Sequence, residues 1–68
     1  MIFHTRNSSY RVTPLANKQL QVEKIAEHSH SPAITLGEKI IADSVYVKQG
    51  FRAEFAGYRT STVLRIEE

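Results

Sequence analysis

Apolar residues recur along this chain with a period of two rather than 3.6, the pattern of strands whose side chains point alternately to opposite faces. The clearest stretch is Gly50-Phe51-Arg52-Ala53-Glu54-Phe55-Ala56-Gly57. Phe51, Ala53 and Phe55 are expected on one face, Arg52 and Glu54 on the other, with glycines at both ends as turns require. Tyr58 to Glu67 follows, rich in the β-branched residues Thr60, Thr62, Val63 and Ile66. In it Thr62, Leu64 and Ile66 alternate with Ser61, Val63 and Arg65. The two runs predict a hairpin turning at Ala56-Gly57-Tyr58-Arg59.

Upstream, Lys39 to Lys48 reads as one strand, with Val45 and Val47 flanking Tyr46 and Asp43-Ser44 as a bulge or turn inside it. Ile2 to Thr5 and Tyr10 to Thr13 predict a first hairpin across Arg6-Asn7-Ser8-Ser9, whose short polar side chains bond local backbone amides. Gln19 to Glu27 reads two ways. Leu20, Val22 and Lys24 alternate as in a strand, whereas Leu15, Gln19, Val22 and Ala26 share one face of a short helix. The β-branched Val22 and Ile25 and the lack of a terminal cap favour the strand. His28-Ser29-His30-Ser31-Pro32 and Leu36-Gly37-Glu38 break the pattern.

These elements predict a single small β domain over residues 1–68. It is all-β, or a β-rich α+β fold if a helix lies within 19–36. The expected form is a small antiparallel barrel or strongly curved sheet of roughly five to six short strands. The expected core is Phe3, Val12, Leu20, Val22, Ile41, Val47, Phe51, Phe55, Leu64 and Ile66.

Composition narrows this picture. The 68 residues include no cysteine, so neither disulfides nor a thiolate zinc site supplement the core. Closing the sheet or forming a homodimer edge to edge would remove exposed strand edges. The N-terminus has no charged lead-in or long apolar run, and Ile40-Ile41-Ala42 is too short for a bilayer. A cytoplasmic protein with no membrane partner is therefore expected. The net charge of +2 is small, but the first acid is Glu23. Arg6, Arg11 and Lys18 precede it unopposed, so a mildly basic N-terminal face is expected.

Phe3-His4-Thr5-Arg6-Asn7-Ser8-Ser9-Tyr10-Arg11-Val12 and Arg59-Thr60-Ser61-Thr62-Val63-Leu64-Arg65-Ile66-Glu67 resemble a loose group of small, functionally uncharacterised bacterial and phage β-proteins. Those join an N-S-x-Y-x-V start to a T-S-P-V-V-x-I ending, with a Leu/Val-Gly between, matched here by Leu36-Gly37. Thr62 stands where that pattern has proline. The resemblance implies a compact β fold of bacterial or phage origin, and transfers no active site. For a small chain of phage or mobile-element type, the expected role is an inhibitor of a host defence complex such as an anti-CRISPR, with an accessory or structural phage subunit as the alternative.

Catalytic constellations do not assemble from the residues. His28 and His30, even with His4, fall short of the three or four protein ligands of a zinc site, and a solvated loop explains them. Ser61 lacks a nucleophile elbow, and hydroxyls bonded to the backbone explain a Thr/Ser-rich strand. Gly37, Gly50 and Gly57 are too far apart for a phosphate loop. No enzyme activity, metal or cofactor is expected. Binding has better support, because Tyr10 adjoins Arg11, Tyr58 adjoins Arg59 and Tyr46 lies near Lys48. Tyrosine and arginine are enriched at interface hot spots, and the same pairing serves nucleic-acid-binding barrels. A protein partner comes first and nucleic acid second, on a surface centred on Arg6, Tyr10, Arg11, Tyr58 and Arg59.

Overall fold

The alternation resolves into seven strands among the described residues: β1 (Ile2–Thr5), β2 (Ser8–Pro14), β3 (Leu20–Glu27), β4 (Lys39–Ala42), β5 (Val45–Tyr46), β6 (Arg52–Phe55) and β7 (Tyr58–Glu67). The computed structural model describes residues 1–29 and 33–68. All paired neighbours are antiparallel, in the order β4-β3-β2-β1-β7-β6-β5. The fold is all-β, a strongly curled half-barrel.

Chain connectivity explains the curl. β4 and β5 are the two edges of the order, yet only Asp43 and Ser44 separate them in sequence. Six strand spacings in a flat sheet would part the edges by roughly 29 Å. Three residue steps from Ala42 to Val45 reach about 10 Å at most. The sheet has to roll up to bring its edges together at that corner. Register shifts between His4 and Thr5, Ser9 and Tyr10, and Arg52 and Glu54 assist the bending, because a bulge increases local twist.

Lys39 to Lys48 is therefore not one strand but two, on opposite edges. Gln19 to Glu27 adopts the strand rather than the helix, entered through a short 3-10 turn at Ala16–Lys18. The first hairpin turns tightly at Arg6-Asn7, with Thr5 Oγ1 donating to the Ser8 carbonyl at 3.0 Å. The last turns at Ala56-Gly57, both at positive φ, as a two-residue hairpin joining right-twisted strands requires.

The core comprises Phe3, Tyr10, Val12, Val22, Ile34, Ala42, Ala53, Phe55 and Val63, with Leu20, Val47 and Ile66 packed against it. Three residues expected inside lie outside: Ile41, Phe51 and Leu64 are about half exposed. Phe51 precedes β6, in a turn where its amide bonds the Lys48 carbonyl at 3.1 Å. On β7 the shifts opposite β1 and β6 insert extra residues, so Thr60 and Val63 point inward instead of Thr62 and Leu64.

Candidate functional site

The tip of the first hairpin docks against the middle of β7. Arg6 N donates to the Thr62 carbonyl at 3.1 Å, and Asn7 N donates to Ser61 Oγ at 3.2 Å. Across β7, Thr60 Oγ1 accepts from Ala53 N at 3.1 Å and donates to the Ser61 carbonyl at 2.7 Å. These bonds satisfy the backbone where the register slips. Arg52 Nε donates to the Thr60 carbonyl at 2.8 Å, which anchors the guanidinium beside β7.

The docking creates two adjoining depressions. The larger, about 350 Å³, is lined by Arg6, Asn7, Arg52, Ser61 and Thr62. The smaller, about 140 Å³ and more enclosed, has Asn7, Arg52 and Ser61 in common with it and adds Tyr10, Tyr58 and Arg59 among others. No carboxylate lines either one.

Charge pairing singles out this place. Of the five arginines, Arg11 faces Glu23 at 3.7 Å, Arg59 faces Glu54 at 3.9 Å and Arg65 faces Glu67 at 3.2 Å. Arg6 and Arg52 have no ion-pair partner among the described residues, and both line the larger depression. Two guanidiniums without carboxylates on one concave surface offer planar donors of the kind that suit an anion.

Four of the five residues singled out in the sequence meet here, in different roles. Arg6 and Arg59 present charge. Tyr10 is a wall rather than a contact residue: it is 3% exposed and stacks on Phe3 with ring centroids 5.0 Å apart. Tyr58 is half-buried, tilted over Phe55 at 6.0 Å. Arg11 lies elsewhere, opposite Glu23 in the β2–β3 ladder. Arg52 was missed as a site residue; alternation puts it outside, but the hairpin tip that docks beside it leaves no local signal.

A second polar cluster crosses the outer face of β1, β2, β3 and β7. His4 Nδ1 bonds Ser9 Oγ at 2.7 Å, and Ser9 Oγ bonds His28 Nε2 at 3.1 Å. His4 Nε2 contacts the Glu67 carboxylate, which Arg65 also approaches. The hydrogen bond from His4, with the Arg65 charge adding to it, holds the Glu67 carboxyl below its ordinary range. Ser9 has one proton, so at least one of the two imidazoles donates to it. Because Ser9 is 2% exposed, the cluster reads as a brace across four strands. Beside it lies a shallow groove of about 640 Å³ in which Ile25, Ala26 and Leu64 supply apolar surface and Arg6 and Arg65 supply charge.

Among the described residues no three His, Asp or Glu side chains converge as a metal would need. His30, the other half of the His28–His30 reading, lies outside the described residues. No described helix is long and apolar enough to cross a membrane. No protein-family model, curated protein or solved structure matches the chain.

Proposed function

We propose that this chain is a non-enzymatic protein-binding module that grips an acidic segment of its partner in the Arg6–Arg52 groove. One observation carries the reading: the two arginines that lack a carboxylate line the same groove, and that groove contains no acid. An incoming Asp or Glu meets planar donors able to bind it at two points, without first displacing a resident carboxylate. Arg59 widens the basic field, although Glu54 partly offsets it. An inhibitor of a host defence complex, of the anti-CRISPR kind and carried by a phage or mobile element, is a role that suits such a module. Support for that role comes from the resemblance to small bacterial and phage β-proteins.

Nucleic acid is the second reading, since phosphates also suit unpaired arginines. It is weakened by the tyrosines, because stacking platforms have to be open to a base. Tyr10 is sealed in the core and Tyr58 is engaged with Phe55, while the half-exposed Tyr46 sits on the edge strand β5 away from the groove. The two readings separate in one titration. Poly-glutamate, a single-stranded oligonucleotide and a duplex are each added at low and moderate salt. Salt-sensitive binding of poly-glutamate in preference to either oligonucleotide is expected. A preference for an oligonucleotide transfers the groove to nucleic acid, and no binding of any polyanion overturns the reading.

A further inference from the structure

We propose that the partner segment is extended and bipartite, placing an acidic side chain between Arg6 and Arg52 and an apolar side chain two residues away against Leu64. This rests on the binding reading above and adds the pattern the partner must carry. The arginine groove and the apolar groove are neighbours rather than separate sites. Arg6 lines both, and consecutive stretches of β7 line them in turn: Ser61 and Thr62 the first, Leu64 and Arg65 the second. A ligand lying along β7 crosses from one to the other without leaving the surface.

The apolar half is suited to an aliphatic side chain. Leu64 is 54% exposed, and Ile25 and Ala26 flank it across the groove. On the rim Arg6 has no ion-pair partner among the described residues, Arg65 is partly offset by Glu67, and no carboxylate lines the groove itself. Its charge therefore matches an acidic segment and opposes a basic one. Spacing sets the pattern. Residues i and i+2 of an extended chain share a face and lie about 6.7 Å apart, and Thr62 and Leu64 are likewise two residues apart on β7. The recognised unit is thus an acid, any residue, then an aliphatic residue on one face.

Synthetic peptides of equal length test this by NMR titration of the backbone amides. The first repeats Glu-Ser-Leu-Ser, the second Glu-Ser-Ser-Ser and the third Lys-Ser-Leu-Ser. The first should bind at least about tenfold more tightly than the second, a ratio worth one hot-spot contact. It should also shift the amides of Ser61, Thr62, Leu64 and Ala26 together. Leu64→Ser, at a half-exposed position that leaves the fold intact, should erase that tenfold advantage and leave the second peptide's affinity unchanged. Equal affinity for the first two peptides overturns the bipartite pattern while the acidic reading stands. If neither acidic peptide binds, the acidic reading fails and the pattern falls with it. Equal binding of the Lys peptide also overturns the pattern, because the rim charge would then select nothing.

Discussion

Lys24 Nζ donates to the Ile34 carbonyl at 2.8 Å from a side chain with no solvent exposure. Its strand faces the barrel interior at this point, and the ammonium also contacts the Glu27 carboxylate. Thus a charged residue inside the curl clasps the segment ahead of β4, while Ile34 itself plugs the core at 4% exposure. The same segment walls the smaller depression, so the clasp helps shape the site.

Replacing this lysine should cost stability. Lys24→Met keeps the stem but removes the donor, leaving the Ile34 carbonyl short of a partner. A loss of about 1–3 kcal/mol is expected. It should stay below the cost of breaking a fully buried pair because the Glu27 side chain is 34% exposed. Urea unfolding measures it, and an unchanged midpoint would remove the clasp from the account.

The two phenylalanines of the penultimate strand region should behave in opposite ways. Phe55 is 3% exposed and lies between Tyr10 and Tyr58, with centroids at 5.9 and 6.0 Å. Phe55→Ala should cost about 3–5 kcal/mol, a large share of what so small a domain possesses. Phe51 is 53% exposed, with the Lys48 ammonium 5.0 Å from its ring centre. Phe51→Ala should cost no more than about 1 kcal/mol. Equal losses in thermal unfolding would show that the turn before β6 does not hold Phe51 at the surface as described.

Acid should loosen the outer brace. The Glu67 carboxyl titrates below its ordinary range because His4 donates to its ionised form. Its contribution is therefore complete above the unfolded carboxylate pKa and fades as pH falls through the lower folded value. A carbon-13 titration of the Glu67 carboxyl should give a midpoint below that of a free glutamate. In His4→Ala the midpoint should move back up. A midpoint unaffected by His4→Ala would assign the shift to Arg65 alone.

Much of this fold was legible because period two is a strong signal in the hairpins, and because the β-branched Val22 and Ile25 tipped the two-way reading of Gln19 to Glu27 toward the strand that forms. What alternation could not show was where it breaks. Each register shift carries one extra residue and flips every later side chain, so Val63 replaced Leu64 inside without any change in composition. Asp43-Ser44 looked like an interruption within a strand, since a corner joining two sheet edges has the same local chemistry as a bulge. Lys24 showed the opposite problem: alternation placed it on the inward face with Leu20 and Val22, but its charge argued against a core position. The Tyr–Arg surface was legible in part. Arg6 and Arg59 were exposed as expected, whereas Tyr10 went to the core and Arg11 to Glu23, because adjacent strand residues face opposite ways.

The most direct test of the arginine groove compares two double variants with equal loss of charge. Arg6→Ala/Arg52→Ala empties the groove, and Arg11→Ala/Lys18→Ala removes two cations that lie outside it. Poly-glutamate affinity at low salt is measured for both by calorimetry, after thermal unfolding has shown that each is folded. The groove variant should bind at least about tenfold more weakly than the control, since each lost arginine contact is worth more than 1 kcal/mol at a hot spot. Equal affinities in the two variants would mean that net charge alone attracts the polyanion and that the Arg6–Arg52 groove is not the site.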